Sequence, residues 1–176
     1  MIFRETPIPG AFWIELEPHR DERGSFARTF CAREFAAHGL DARVVQCNLS
    51  YNRARGTLRG MHTQRAPHAE AKLVACTRGA IHDVILDLRT GSAAHGKHVA
   101  VTLRANDGHM LFIPAGVHHG FLTLEDDTEV FYQMSEFYEP TAASGVRWND
   151  PAFGIEWPEE VRVISERDAS FPDWVG

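Results

Sequence analysis

"GHMLFIPAGVHHG" (Gly108–Gly120) is the stretch on which the fold turns. It starts as a short strand-like run, breaks at Pro114 and Gly116, and leads into a second run, "HGFLTLE" (119–125). Short apolar runs bounded by Pro and Gly read as strands joined by tight connections. The same signature recurs upstream in "AFWIELEP" (11–18), "SFARTF" (25–30), "RVVQCNLSYN" (43–52), "TLRGMHTQ" (57–64), "AKLVACTR" (71–78), "AIHDVILDLR" (80–89) and "KHVAVTLRA" (97–105), and downstream in "EVFYQMSEFY" (129–138). "DERG", "TRGA" and "ANDG" supply turns. Only "CAREFAAHGL" (31–40) has helical character, with Gly39 placed to stop it. Many short strands and one short helix predict an all-β sandwich or closed barrel, one domain over residues 1–176. The stretch from Gly145 onward holds Pro and Trp without clear periodicity and is expected to wrap the barrel as loops and short turns.

Composition excludes several classes. The 176 residues carry a formal charge of −6, and no Lys/Arg cluster offers a footprint for nucleic acid. The opening "MIFRETPIPG" lacks a basic segment followed by an apolar run, and no run is long enough to span a membrane, so a cytoplasmic setting is expected. Cys31, Cys47 and Cys76 are odd in number and lack paired spacing. Cys47 and Cys76 sit in apolar runs and are expected to be buried free thiols.

Charge inside these strands needs a reason. Residues two apart share a face, which groups Leu58, Gly60, His62 and Gln64 against Arg59, Met61 and Thr63. Lys72, Val74 and Cys76 form another set, as do Tyr132 and Met134. Each polar residue has an ordinary reading: a structural histidine, a snorkelling lysine, a tyrosine whose hydroxyl reaches water, an arginine in a weak surface ion pair. If they line a barrel open at one end, however, imidazole, ammonium and phenol converge in one pocket. That set suits proton transfer beside a carbonyl. A histidine with pKa near ~6.5 serves as base, and a lysine stabilises the enolate oxygen. A tyrosine can return the proton to the other face.

Gly108, Pro114, Gly116 and His119 have the spacing G-x5-P-x-G-x2-H of the second cupin motif, and Gly56 and His62 begin the first, G-x5-H-x-H. Where the first motif has its second metal histidine this chain has Gln64, a poor ligand for a transition metal. Neither His118 nor Glu70 has the position to replace it. No bound metal and no other cofactor are expected.

Nearly the whole chain resembles the dTDP-4-dehydrorhamnose 3,5-epimerase family of metal-free cupins. The likeness is carried by "DERGSF", "QCNLS", "GTLRGMHTQ", "AEAKLVAC", "GAIHDVILDLR", "IPAGVHHGF", "EVFYQMSEFYEP", "WNDPAFGIEWP" and "ISERD", in that order. The resemblance implies a jelly-roll barrel with a short N-terminal helix, a nucleotide-sugar substrate, and a homodimer in which an N-terminal strand is exchanged. It implies His62 as base, Asp168 as its carboxylate partner, Tyr132 as acid and Lys72 beside the sugar's C4 oxygen. Arg59, Gln46, Asn48 and His119 then hold sugar and diphosphate, and Tyr138 stacks on the base. Arg23 and Phe26 reach in from the neighbouring chain. Asp83 is placed either to support the lysine or to form a structural ion pair.

The departures are Thr63, Arg28, Gln133, Val117 and His118. By alternation Thr63 is expected to face away from His62, a packing change only. Arg28 bears on the preference for base or sugar. The activity implied is inversion of C3, C5 or both in a nucleoside-diphosphate 4-keto-6-deoxyhexose. A ketoisomerase on the same barrel and a non-catalytic sugar- or metal-binding cupin are the alternatives.

Overall fold

The computed structural model describes residues 1–175. In chain order the elements are β1 (Ile2–Glu5), β2 (Phe12–Glu15), β3 (His19–Asp21), β4 (Gly24–Phe26), α1 (Ala32–Ala37), β5 (Gln46–Asn52), β6 (Thr57–Gln64), β7 (Lys72–Arg78), β8 (Ala80–Asp87), β9 (His98–Arg104), β10 (His109–Ile113), β11 (Val117–Thr123), β12 (Thr128–Met134), β13 (Ala143–Gly145), β14 (Val163–Ile164) and α2 (Glu166–Ala169). The chain is all-β, as its strand pattern predicts, and has the cupin-type jelly roll that the resemblance implies. One sheet runs β1-β2-β10-β7-β12-β5 and the other β13-β6-β11-β8-β9, with β14 added beside β6. β3 and β4 form a separate hairpin.

The opening stretch shows why the two sheets face each other. β10 pairs with β2 and β7 in the first sheet, while β11 pairs with β6 and β8 in the second. Pro114 to Gly116 is therefore a corner between sheets and not a hairpin turn. Val117 and His118, which the sequence leaves between the break at Gly116 and the run from His119, belong to β11. Gly116 sits at φ +82, a conformation that Gly adopts at little cost.

Alternating residues of both sheets fill the space between them, including Val74, Ile81, Ile85, Leu103, Leu111, Val117, Phe121 and Val130. Each such side chain contributes about 1.5–3 kcal/mol of hydrophobic stabilisation. The outer face of the first sheet is covered by α1, where Phe35 packs with Ile14, Leu73, Met110 and Phe112. The helix ends where the sequence marks it, with Gly39 at φ +70. The C-terminal tail covers the outer face of the second sheet, placing Val146, Phe153 and Trp157 over Met61, Val84 and Leu86. Within that tail, β14 runs parallel to β6 and leads into α2, order that the irregular sequence did not announce.

Of the two cysteines expected to be buried, Cys76 is, and burial pushes its thiol up to about 11. Cys47 is exposed, because β5 is an edge strand that turns Gln46, Asn48 and Ser50 inward and the alternate residues outward. Among the described residues no helix is long and apolar enough to cross a membrane.

Candidate active site

Between the sheets lies a cavity of about 300 Å³, lined by residues that include Asn48, Arg59, His62, Lys72, His119, Tyr132, Tyr138 and Arg167. β6 supplies both Arg59 and His62, which strict alternation sends to opposite faces. The pairing with β11 explains the discrepancy. His119 faces His62 and Phe121 faces Arg59, so two steps on β11 match three on β6. One extra residue in β6 reverses the parity and brings both side chains to the pocket. Two glycines make the close crossing possible. A Cβ on Gly60 would lie 2.4 Å from the Gly120 Cα, and one on Gly120 would lie 2.7 Å from the Met61 sulfur. Thr63, expected to face away from His62, lines the pocket as well, a second correction to simple alternation.

His62 Nε2 meets Asp168 Oδ1 at 2.7 Å. Asp168 arrives from the tail on the first turn of α2, where the Ser165 hydroxyl accepts from its backbone N–H at 3.1 Å. Its second oxygen accepts from the Gly60 N–H at 3.1 Å, so the bulge and the carboxylate lock together. Burial pushes the Asp168 carboxyl up, but the His62 hydrogen bond and charge, the Gly60 N–H and Ser165 hold it below its ordinary value. Phe171 packs edge-on to the His62 ring at 6.1 Å.

A second imidazole–carboxylate pair lies deeper. His119 Nε2 meets Asp83 Oδ1 at 2.6 Å, with both groups buried. Asp83 thus supports His119 and not Lys72. The lysine's partner is Glu70, whose Oε1 lies 2.6 Å from Nζ.

Tyr132 enters from β12, in the other sheet, and its ring stands edge-on to His119 at 6.2 Å. Burial pushes its phenol well up and the Asp83 charge adds to this, while Ser50 and Arg59 pull the other way. His118, on the outer face of β11, is held down to about 4 by burial and by the charges of Lys72 and His62. It is a neutral packed histidine and no part of the pocket.

Around the mouth, Arg59 Nε donates to Asn52 Oδ1 at 2.7 Å. Gln46 Nε2 donates to Asn48 Oδ1 at 3.0 Å, and Gln46 Oε1 accepts from the Tyr138 N–H at 3.2 Å. Gln46 therefore braces the rim from outside the lining. The Gln64 amide donates to the carbonyls of His68 and Phe137 and accepts from the Glu139 N–H, which uses it up as a structural bracket. Among the described residues no group of three or more His, Cys, Asp or Glu stands together as a metal cage.

Arg23 and Phe26 are not brought to this pocket. They lie on the β3–β4 hairpin, where Arg23 bonds only to Asp21 and Phe26 is 75% exposed. Among the lining residues that had no part in the sequence-based site are Ser50, Glu70 and Arg167. Ser50 shares a face with Gln46 and Asn48, and Arg167 adjoins Asp168, so both had a local signal. Glu70 shares its face with Lys72 across one residue.

The family model described as dTDP-4-dehydrorhamnose 3,5-epimerase matches residues 5–175. A protein of that name from Sinorhizobium fredii is 40% identical over 173 residues, 98% of this chain and 89% of the relative. The crystal structure of dTDP-4-dehydrorhamnose 3,5-epimerase from Elizabethkingia anophelis superposes with TM-score 0.96 at 33% identity, covering 99% of this chain and 96% of that one. ChmJ, a 3'-monoepimerase from Streptomyces bikiniensis in complex with dTDP-quinovose, superposes with TM-score 0.88 at 35% identity, covering 96% and 85%. The chain belongs to the dTDP-4-dehydrorhamnose 3,5-epimerase family.

Proposed function

We propose that this epimerase acts on a nucleoside-diphosphate 4-keto-6-deoxyhexose, with dTDP as the nucleotide, and inverts C3, C5 or both. One observation carries the mechanism: His62 and Tyr132 enter the same cavity from opposite sheets. A sugar ring held between them meets a base on one face and an acid on the other.

His62 takes the proton from the carbon beside the C4 ketone, which is the acidic position. Asp168, held ionised, orients the ring and stabilises the imidazolium that forms. Lys72 donates to the oxygen on which enolate charge develops. Tyr132, whose raised phenol keeps its proton at neutral pH, delivers that proton to the opposite face of the carbon. The enolate's carbon–carbon electron pair takes that proton as the C4 carbonyl re-forms, so the substrate serves as its own electron sink, and His62 and Tyr132 regain their starting protonation by exchange with solvent. A ketoisomerase needs one base shuttling on one face, and a tyrosine on the far wall does not serve it.

The binding groups divide by chemistry. Arg59 and Arg167 bring guanidinium forks suited to diphosphate oxygens, and His119 and Asn48 face the sugar. Tyr138, half-exposed at the mouth, offers a ring for the base. The β3–β4 hairpin, exposed and outside the lining of its own cavity, is read as the arm that carries Arg23 and Phe26 to a second subunit's site in a cytoplasmic homodimer.

Solvent deuterium settles the reaction class. The enzyme incubated in D2O with dTDP-4-keto-6-deoxyglucose is expected to wash label into C3 or C5 and change the configuration there, both followed by NMR. Binding without exchange would reduce the protein to a sugar-nucleotide binder. Label at C3 alone would place it with monoepimerases.

A further inference from the structure

Lysine is scarce in this chain: Lys72 and Lys97 are the lysines among 18 Lys and Arg residues. Arginine serves almost everywhere that charge alone is needed. A lysine kept in the pocket points to something guanidinium cannot do, since an amine is compact and can act as a point donor or as a nucleophile.

Lys72 opens β7 with its side chain 9% exposed, and its ammonium lies 2.6 Å from Oε1 of Glu70, a side chain 4% exposed. Among the described residues Nζ makes no other hydrogen bond or ion pair. The second carboxylate oxygen of Glu70 is buried and has no partner. Residues 70 and 72 flank Ala71, whose N–H donates to the Ser135 hydroxyl at 2.7 Å and whose carbonyl accepts from the Ser135 N–H at 3.0 Å. That clamp fixes the backbone between the two charged side chains, and both line the cavity.

A buried pair of this kind does little for stability, because desolvation cancels most of the attraction. Its value lies in what it does to the amine. Beside a ketone, a free amine adds to the carbonyl carbon, whereas a protonated one donates to the carbonyl oxygen. Epimerisation through an enolate needs the second behaviour. We propose that Glu70 is the positioning residue of Lys72, holding its amine as a charged donor aimed into the cavity so that it engages the substrate's carbonyl oxygen and not its carbon. This rests on reading the pocket as a 4-keto-sugar site.

Two measurements test it, one without substrate. Reductive methylation with 13C-formaldehyde labels amines, and a Lys97→Arg variant assigns the lysine signals. In the native protein Lys72 is expected to label roughly tenfold or more slowly than Lys97, as a buried amine engaged by a carboxylate should. Glu70→Ala should bring the two rates together, and Glu70→Gln, which keeps an acceptor without the charge, should fall between. The second measurement is a double-mutant cycle on hydrogen exchange into the sugar. Glu70→Ala should lower kcat with little change in KM, yet add almost nothing in a Lys72→Met background. Glu70→Gln should recover part of the loss. A merely structural Glu70 would lower the rate equally in both backgrounds, and that result, or labelling of Lys72 that ignores Glu70, overturns the inference. If native enzyme exchanges no hydrogen in any 4-keto sugar nucleotide, the functional reading fails instead, and labelling still decides the pair.

Discussion

The pocket contains two histidine–carboxylate pairs of nearly equal length, 2.7 Å for His62–Asp168 and 2.6 Å for His119–Asp83. Their surroundings differ. The His62 side chain is 40% exposed, and both oxygens of Asp168 are engaged, one by His62 and one by the Gly60 N–H. The His119 side chain is 6% exposed, and the second oxygen of Asp83 is buried without a partner. A base must gain and lose a proton at each turnover, which requires access and a carboxylate that stays ionised throughout. A ligand-orienting group requires only a fixed tautomer. The same two side chains thus serve different ends according to what surrounds the carboxylate.

The largest effect should follow loss of the accessible imidazole. His62→Ala is expected to lower both hydrogen exchange and inversion by ~10²–10⁴-fold, the usual worth of a general base. The half-exposed site should absorb the change without loss of fold. His119→Ala, on the same reading, should act mainly through KM. Exchange rates for both variants, with circular dichroism as control, decide whether the pairs divide as argued; equal losses of kcat would erase the distinction.

Next comes the wall opposite. Tyr132→Phe should let His62 remove and return a proton on its own face, so deuterium still enters while net inversion falls by up to ~10²–10⁴-fold. Only one oxygen is lost, and the ring keeps its edge-on contact with His119. Label and configuration are read in one NMR experiment. Exchange and inversion falling by the same factor would mean that Tyr132 serves the first step or binding alone.

Asp168→Asn should slow turnover less than His62→Ala, and its pH signature lies in stability. The Asp168 carboxyl is held below its ordinary value, so its ionised form stabilises the fold. That contribution is complete above the unfolded carboxyl pKa near ~3.9 and is lost as pH falls through the lower folded value. The variant should therefore be less stable at neutral pH, with the gap narrowing below about pH 4. Denaturant midpoints at pH 7 and pH 3 measure it, and a gap independent of pH would detach the carboxylate's charge from the fold.

Much of this was legible in the residues. The TLRGMHTQ strand was read with its observed ends, Thr57–Gln64, and the helix fell where its Gly39 stop predicts. Local patterns sufficed because those segments obey a single period. Alternation failed at Arg59 because one extra residue at a glycine, between Arg59 and His62, reverses every side chain beyond it. The partner of Lys72 was hidden for another reason. Which carboxylate meets which cation depends on side-chain reach across a fixed backbone, and the two-residue spacing of Glu70 does not by itself say that it reaches Nζ and that Asp83, on the next strand, does not. The tail concealed its order because β14 and α2 are too short to show a period and exist by docking on β6.

The smallest effect should come from the buried pair. Asp83→Asn keeps the size of the side chain and leaves an oxygen to accept from His119 Nε2, so the tautomer is preserved. With that oxygen on His119, the position of the unpartnered oxygen is taken by an amide NH2 without an acceptor, at the cost of about one hydrogen bond. That predicts a rise in KM of about 2–10-fold with kcat nearly unchanged. Removal of the nearby negative charge should also let the Tyr132 phenol fall toward its ordinary value, because the Asp83 carboxylate contributes to its rise. Ultraviolet titration of the phenol in native and variant protein reads that shift directly. If Asp83→Asn instead lowers kcat as far as Asp168→Asn does, His119 changes charge during turnover. The deeper pair would then be a second acid–base unit, and the contrast between the two would be one of depth alone.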